Sequence, residues 1–403
     1  MRVTAIETIH VEQYPNITFV EILTDEGLVG LGETFRTPKA VGAQIHESIA
    51  AYLLGKDPLH IEAHSAALLN PYIGFGSTSV EIRAASAIDI ALWDLWGKAL
   101  DRPVHALLGG LSRDRIRVYN TCAGYAYNQR GADRRLVTAG SATNAAPTGP
   151  YDDQIAFTER PAELAQSLLD MGITAMKIWP FDPFAVKTGG REISAADLAT
   201  GVAPFRKIRD AVGDRMDLMC ELHSMWNLPV AVRIADALAD LGIYWAEDPI
   251  KMTNLDALAD YRRRTRIPVC ASETLGTRHA FRELLAKDAV DYVMLDVGWC
   301  GGLSEAKKIA ALAESWQRPV APHDCVGPVV LIASLHLALN APNALFQEVV
   351  RAYYTGYYTQ LVTTLPRIEN GEAYPMAGPG LGTALQPDLK SRPGVTVQRS
   401  ALG

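Results

Sequence analysis

The stretch DLMCELHSMWN, residues 217–227, places an acid and an imidazole two positions apart at the end of an apolar run. Successive side chains of a β-strand point to opposite faces, so residues two apart project to the same side. We therefore expect Glu221 and His223 to project together from the point where a strand meets its loop. Two polar groups directed at one place indicate a functional role.

Beyond Gly110, short apolar strands of this kind alternate with longer helical stretches. This alternation is typical of βαβ units and of a parallel sheet. Eight strands are predicted, the number that a closed (β/α)₈ TIM barrel needs, although the helix after the last strand is poorly marked. The strands are IRVYNTCAG (116–124), AMKIW (175–179), DLMCEL (217–222), YWAEDP (244–249), VCASE (269–273), YVMLDV (292–297), PVAPH (319–323) and LFQEVV (345–350).

The N-terminal part of the chain has a different pattern. ITFVEILTDEGLVGLGE, residues 17–33, predicts two strands joined in a hairpin, and VEIRAASAIDIALWDLWGKAL, residues 80–100, predicts a helix. Strands followed by helices favour a small α+β domain. We predict an α/β fold with three parts: an α+β N-terminal domain over 1–112, a modified (β/α)₈ barrel over 113–355, and a C-terminal segment over 356–403 that returns to the first domain.

The composition excludes several classes of protein. A net charge of -7 without any block of Lys and Arg argues against nucleic-acid binding. Prolines and polar residues interrupt the most apolar segment, residues 326–346, which argues against a membrane span. The N-terminus lacks the apolar core of a secretory signal, and the odd number of cysteines, five, argues against a disulfide framework. We expect a soluble cytoplasmic protein.

Three predicted strands in succession carry an acid at their carboxyl ends. Glu221, Glu247 and Glu273 are 26 residues apart in each step, one βα unit, so we expect equivalent heights on neighbouring strands. Three converging carboxylates repel one another unless a cation neutralises them. Because the donors are all oxygens, with no Cys or His, they predict a Mg²⁺ site.

Four further candidates lie at the same end of the predicted barrel. Asp296 ends strand six and His323 ends strand seven, so a carboxylate can orient an imidazole that acts as a general base. Glu348 ends strand eight and completes the ring of polar groups, while Lys177 ends strand two and adds an ammonium group.

These motifs together resemble the enolase superfamily, in its mandelate racemase subgroup, over nearly the whole chain. The resemblance is carried by the three acids and by LTDEGLVGLGE (23–33), ASAIDIALWDLWGK (85–98), LDVGWCGGLSEAKKIA (295–310) and PHD (322–324). It implies that the α+β domain caps the barrel, and that Mg²⁺ holds a substrate carboxylate while a base removes the neighbouring proton. It also implies a homo-oligomer.

Within that subgroup, the sequence resembles the sugar-acid dehydratases of the galactonate and mannonate type, in which a histidine follows two residues after the first metal ligand. Racemases of the subgroup usually carry Lys-x-Lys on strand two, whereas this chain has Lys177-Ile178-Trp179. Glu221 stands where these dehydratases usually have Asp.

By this resemblance, His323 with Asp296 abstracts the α-proton and His223 protonates the leaving hydroxyl, although the two histidines can exchange roles. Glu348 hydrogen-bonds an enediolate oxygen, and Lys177 lies near the substrate carboxylate or a neighbouring hydroxyl. The expected substrate is a small sugar acid. The alternatives are a racemase, epimerase or cycloisomerase acting on a related acid, and a non-catalytic sugar-acid-binding protein. The loop around 125–150 predicts either a lid, which Tyr125, Tyr127 and Arg130 begin, or an insertion without function.

Overall fold

In the computed structural model, which describes residues 1–70, 79–125, 127 and 150–403, the chain begins with an antiparallel sheet covered by helices. The strands are β1 (Val3–Val11), β2 (Ile17–Thr24) and β3 (Val29–Phe35). The helices are α1 (Pro38–Ala43), α2 (Ala50–Leu53), α3 (Ile61–Leu69), α4 (Val80–Leu100) and α5 (Val104–Leu107), with a π-helical turn at Gln44–Ile49 between α1 and α2.

Glycines let β3 pack directly on the backbone of α4. A Cβ atom on Gly30 would lie 2.2 Å from the carbonyl oxygen of Ala91, and one on Gly32 would lie 1.9 Å from that of Ala87. No side chain fits at such distances, so the pattern GLVGLGE records a close contact between strand and helix.

Eight parallel strands follow and close into a barrel. The first seven pair in succession and the last pairs with the first, while Val320 on the seventh forms an isolated bridge with Ala344, just before the eighth. The predicted fold class is therefore confirmed. The strands are β4 (Ile116–Thr121), β5 (Ala175–Ile178), β6 (Asp217–Glu221), β7 (Ile243–Glu247), β8 (Val269–Ala271), β9 (Tyr292–Leu295), β10 (Val320–Pro322) and β11 (Gln347–Val349).

Helices connect these strands, and two short helices follow the last one, where the sequence pattern was weakest. They are α6 (Asp153–Glu159), α7 (Pro161–Asp170), α8 (Asp182–Thr188), α9 (Ala195–Val212), α10 (Leu228–Leu238), α11 (Leu255–Arg264), α12 (Thr277–Ala286), α13 (Gly302–Ser315), α14 (Pro328–Asn340), α15 (Arg351–Tyr354) and α16 (Tyr358–Leu361). Short 3₁₀ turns lie at Gly213–Arg215, Ala239–Leu241 and Leu389–Ser391. No helix in the described part of the chain is long and apolar enough to cross a membrane.

The C-terminal segment contacts both parts of the fold. Strands β12 (Ile368–Glu369) and β13 (Glu372–Ala373) form a small hairpin, and β13 pairs with the start of β4. The last strand, β14 (Val395–Ala401), pairs antiparallel with β1 at the edge of the N-terminal sheet.

A buried polar junction joins α4 to the barrel. Asp89, from the motif ASAIDIALWDLWGK, accepts hydrogen bonds from the backbone N–H of Ser304 (3.0 Å) and from its hydroxyl (2.5 Å). Trp93 donates its indole N–H to the same hydroxyl at 2.9 Å. Two of the motifs that carry the family resemblance, on α4 and at the start of α13, therefore contact each other across the two parts of the fold.

Two buried histidines join α5, α14 and the C-terminal segment. The ring Nδ1 of His336 lies 3.2 Å from the backbone nitrogen of His105 and 3.1 Å from its Nδ1, and Nε2 lies 3.3 Å from the carbonyl oxygen of Leu381. Burial, and after it the neighbouring His105 ring, lowers the pKa of His336 from 6.5 to about 3. Burial thus favours the neutral ring in the folded protein.

We expect the His336 pair to make stability depend on acidity. The pKa of His336 is depressed in the folded state. The contribution of His336 to the free energy of unfolding is therefore fully present above about pH 6.5 and is lost as pH falls towards 3. The loss within that window is roughly 1 kcal/mol per pH unit. In denaturant unfolding, His336→Gln is expected to flatten the dependence of unfolding free energy on pH between 7 and 4.5. The exposed His279→Gln is the control, and an unchanged slope in His336→Gln would contradict the prediction.

Candidate active site

The barrel interior forms one apolar layer directly beneath the polar residues. Seven strands each contribute one side chain and the eighth side chain comes from Phe346, directly before β11; Tyr119 packs edge-on against both Trp245 and Phe346. Side chains two positions further along a strand point the same way, so a second layer lies above the first. The members of the apolar layer are Tyr119, Ala175, Met219, Trp245, Cys270, Met294, Ala321 and Phe346.

The second layer contains most of the predicted site. The residue two positions after each apolar residue is polar and lies either on the strand or directly after its end. These are Thr121, Lys177, Glu221, Glu247, Ser272, Asp296, His323 and Glu348.

Glu273 is the exception, and here the expected equal heights are wrong. Glu221 and Glu247 are register partners at the last positions of β6 and β7, but Glu247 pairs with Cys270 on β8. The second-layer position on β8 is thus Ser272, and Glu273 lies one residue beyond it. The apolar layer advances by 25 residues from Trp245 to Cys270, whereas the acids advance by 26.

The three glutamates nevertheless converge. One oxygen from each of Glu221, Glu247 and Glu273 lies within 4.8 Å of the others. Burial raises the pKa of Glu221 to about 7, and burial followed by Glu221 raises that of Glu247 well above its usual value. Both shifts reflect the cost of placing negative charges together inside the protein.

Lys177 supplies a positive charge at this cluster. Its buried ammonium is within ion-pair distance of Glu247, lies 3.0 Å from Glu348 and lies 3.5 Å from Glu221. Burial alone would lower the pKa of Lys177, but Glu247 and Glu348 raise it well above its ordinary value. Lys177 therefore connects the glutamate cluster to Glu348.

The donor set fits a hard divalent cation. The three converging donors are all carboxylate oxygens, the ligands that Mg²⁺ prefers, and no sulfur or imidazole nitrogen belongs to the set. Glu273 has 17% of its side chain exposed, whereas Glu221 and Glu247 are almost fully buried. The cluster is thus open to the cavity on the Glu273 side.

His323 lies between two carboxylates. Its Nδ1 is 2.7 Å from Asp296 and its Nε2 is 2.8 Å from Glu273. Burial alone would lower the pKa of His323, but Glu273 and then Glu348 raise it well above its ordinary value. The predicted pairing with Asp296 is present in the structure, and the contact with Glu273 was not anticipated.

The ring of Trp299 lies between His323 and the N-terminal domain. Trp299, in the loop after β9, has its ring centre 5.3 Å from that of His323. The guanidinium of Arg83, on α4, lies 4.5 Å from the Trp299 ring and donates to the carbonyl oxygen of Phe35. Helix α4 and the end of β3 therefore shape the His323 side of the site.

His223 is placed differently from the strand-face expectation. It lies beyond the end of β6 with a left-handed φ of 49°, and its backbone N–H donates to Glu221 at 2.6 Å. Its ring Nδ1 lies 2.8 Å from Asp182, the first residue of α8. Burial would lower the pKa of His223, but Asp182, the nearest carboxylate, raises it to about 10.

Glu348 is held by groups from β4 and from the loop after β10. One of its oxygens accepts a short hydrogen bond from the hydroxyl of Thr121 on β4, and the other accepts the backbone N–H of Asp324 at 2.8 Å. Burial would raise the pKa of Glu348, but Lys177 and then His323 lower it. Its orientation is set by the barrel itself.

A cavity of about 310 Å³ lies above these groups. Of the predicted residues, Lys177, Glu221, His223, Glu273 and His323 line it, while Glu247, Asp296 and Glu348 contact those that do. Residues 128–149, with most of the predicted lid and Arg130, lie outside the described residues. Tyr125 is buried and accepts a hydrogen bond from the backbone of Tyr151, whereas Tyr127 lines the cavity.

Sequence reasoning missed several lining residues. Thr121 could have been found from the two-residue step above the apolar layer, but Asp182 follows a turn and has no such signal. Thr121, Asp182 and Trp299 belong to this group, whereas Phe35 and Arg36, which also line the cavity, come from the N-terminal-domain loop at 35–40 that the sequence predicted to shape the distal pocket.

Comparison with known proteins gives consistent matches. The N-terminal domain of the mandelate racemase / muconate lactonizing enzyme family matches residues 2–109, and the enolase C-terminal domain-like family matches residues 160–389. The chain is 29% identical to a D-galactonate dehydratase of Pectobacterium atrosepticum, with 96% of this chain and 93% of that protein covered. It is 31% identical to a D-xylonate dehydratase of Haloferax volcanii, with 96% and 87% covered.

A solved structure is also similar. The crystal structure of an enolase of the mandelate racemase subgroup from Agrobacterium tumefaciens has 48% sequence identity and a TM-score of 0.87. The match covers 100% of this chain and 99% of that one. The similarity thus includes both the N-terminal sheet and the barrel.

Proposed function

This chain belongs to the mandelate racemase and muconate lactonizing enzyme family of enolase-like proteins, and from that premise we propose how it acts as a sugar-acid dehydratase, a hydro-lyase. We propose that the substrate is a monoacid sugar. The enzyme removes the proton α to the carboxylate and eliminates the β-hydroxyl, which yields a 2-keto-3-deoxy acid.

The observation that carries this proposal is the placement of two histidines. The Nδ1 of His323 is hydrogen-bonded to Asp296, and the Nδ1 of His223 is hydrogen-bonded to Asp182. His323 follows β10 and His223 follows β6, four strands apart in a barrel of eight, so they approach the cavity from opposite sides. Elimination needs a base at one carbon and an acid at the departing hydroxyl. Two imidazoles facing one cavity from opposite walls meet that need.

Glu221, Glu247 and Glu273 are proposed to hold Mg²⁺. When bound, Mg²⁺ would coordinate the substrate carboxylate and stabilise the negative charge that forms there as the α-proton leaves. That proton is too weakly acidic to be removed without such stabilisation. The pairing of a histidine base with Mg²⁺ is an established pattern of this superfamily.

His323 is proposed as the base. Asp296 accepts the hydrogen of Nδ1, and Nε2, which lies 2.8 Å from Glu273, is proposed as the atom that takes the α-proton. Glu348 is proposed to hydrogen-bond the oxygen on which charge develops. Lys177, within contact distance of Glu348, places a positive charge beside it.

His223 is proposed as the acid. As the carbon–oxygen bond breaks, the electron pair goes with the hydroxyl, which takes a proton from His223 and leaves as water. The remaining enol tautomerises to the keto acid. Trp179 occupies the place of the second lysine of the racemases, so the chain has no lysine there to exchange a proton on the other face.

A library of aldonic and uronic acids tests the proposal. Incubation with enzyme and Mg²⁺, followed by semicarbazide detection of 2-keto acids, is expected to identify at least one monoacid substrate. Parallel incubation in D₂O with NMR reports exchange of the α-proton. Substrates that exchange α-deuterium without keto product would instead indicate a racemase, an epimerase or a cycloisomerase.

A further inference from the structure

We propose that Asp182 is a positioning residue. It orients the ring of His223 so that His223 can protonate the departing hydroxyl of the bound substrate. This inference rests on the proposed dehydration and assigns a role within it to a residue outside the metal cluster. Asp182 begins α8, the helix that follows the strand carrying Lys177, and only 8% of its side chain is exposed.

The carboxylate of Asp182 has His223 as its hydrogen-bond partner among the described residues. Its Oδ2 lies 2.8 Å from the imidazole Nδ1, and its Oδ1 has no hydrogen-bond partner among the described residues. A buried carboxylate with one partner is costly to maintain, because most buried polar atoms are hydrogen-bonded. Its retention beside the cavity indicates that the single contact with His223 matters.

Three contacts determine where the His223 ring points. The backbone N–H is bonded to Glu221, Nδ1 is bonded to Asp182, and Trp179 packs edge-on with ring centres 5.6 Å apart. Trp179 is itself held edge-on by Phe157 at 5.3 Å. The ring therefore has little freedom to turn.

The contact with Asp182 also selects the nitrogen that acts. With the Nδ1 hydrogen donated to Asp182, Nε2 is the ring nitrogen left to face the cavity, which both residues line. A proton leaves Nε2 for the hydroxyl, and Nδ1 keeps its own. Without the carboxylate, the imidazole can place its hydrogen on either nitrogen or turn, and the acid is lost from the correct position.

This assignment predicts a specific kinetic defect. Removal of the α-proton needs His323 and not Asp182. Loss of Asp182 should therefore slow elimination of the hydroxyl without stopping removal of the α-proton. Asp182→Asn is expected to lower kcat for keto-acid formation by about 10²- to 10⁴-fold with KM changed little. In D₂O, the variant is expected to return substrate that carries α-deuterium, because the charged intermediate is reprotonated before the hydroxyl leaves.

The experiment compares keto-acid formation with α-exchange in the full-length Mg²⁺-loaded enzyme. Asp182→Glu, which keeps the carboxylate, should recover part of the elimination rate. Lys187→Ala, an exposed change on the same helix, should behave as the parent protein. A double variant, Asp182→Asn with His223→Asn, should be no slower than His223→Asn alone, since both changes remove one function.

Other results would overturn the assignment. Equal loss of exchange and elimination in Asp182→Asn would show a general structural role, as would a loss that adds to that of His223→Asn. If Asp182→Asn does not fold, the ratio of exchange to elimination in Asp182→Glu decides, and an unchanged ratio there rejects the role. A parent protein that forms no keto acid from any sugar acid overturns the proposed function as well, whereas normal elimination in Asp182→Asn overturns this inference alone.

Discussion

Replacing His323 with asparagine is expected to reduce keto-acid formation by about 10²- to 10⁴-fold. Asparagine keeps a polar side chain of similar reach but has no atom that can accept a proton from carbon. Because His323 is proposed to act before the hydroxyl leaves, this variant should lose α-deuterium exchange together with elimination. Steady-state kinetics and NMR in D₂O measure the two losses.

Comparison with His223→Asn distinguishes the proposed base from the proposed acid. That variant should lose elimination but still exchange the α-proton, so the two histidines are distinguished by one pair of measurements. The exposed His279→Asn, on α12, serves as the control and should retain both activities. If His323→Asn retained normal turnover, the base would have to be another group. If the parent protein bound sugar acids without any turnover, a binding protein would be favoured.

The fold was predictable because the barrel repeats one unit. Each strand ends in a short apolar run, and the residue two positions past the buried layer faces the mouth of the barrel. This rule locates Lys177, Glu247 and Asp296 without any structure, because period-two alternation survives in short strands. The hairpin at 17–33 was likewise predictable from its turn residues.

The register of β8 was not predictable in the same way. Equal spacing of 26 residues suggested equal heights, yet Ser272 occupies the layer position after β8 and Glu273 lies one residue beyond it. Spacing along the chain counts helix and loop residues as well as strand residues. It therefore cannot determine how two strands are staggered in a closed barrel.

The placement of His223 depends on the backbone beyond the strand. A left-handed φ of 49° turns the residue out of the strand-face pattern. The carboxylate that then meets its ring, Asp182, comes from a different βα unit, 41 residues earlier. Contacts of this kind arise from the meeting of loops in space, and local sequence patterns carry no signal for them.

The second large effect is expected at Glu247. Replacing it with glutamine removes one of three carboxylates at the cluster while keeping the size of the side chain. Its carboxylate also accepts the indole N–H of Trp245 at 3.1 Å, a bond that the amide oxygen of glutamine can preserve. The folded structure should therefore survive while the affinity for Mg²⁺ falls by more than about 10²-fold, since even groups that only support metal ligands contribute 10- to 100-fold.

Two measurements separate the loss of cation binding from the loss of activity. Calorimetric titration of Glu247→Gln with Mg²⁺ should show weak or no binding, and added Mg²⁺ should no longer raise its melting temperature, because a ligand stabilises only a protein that binds it. The parent protein should lose turnover in EDTA and regain it with Mg²⁺. The exposed Glu163→Gln on α7 should bind the cation as the parent does. Undiminished Mg²⁺ affinity in Glu247→Gln would reject the three glutamates as the cation site, because a donor set of three cannot lose one charge without weakening its hold on a divalent ion.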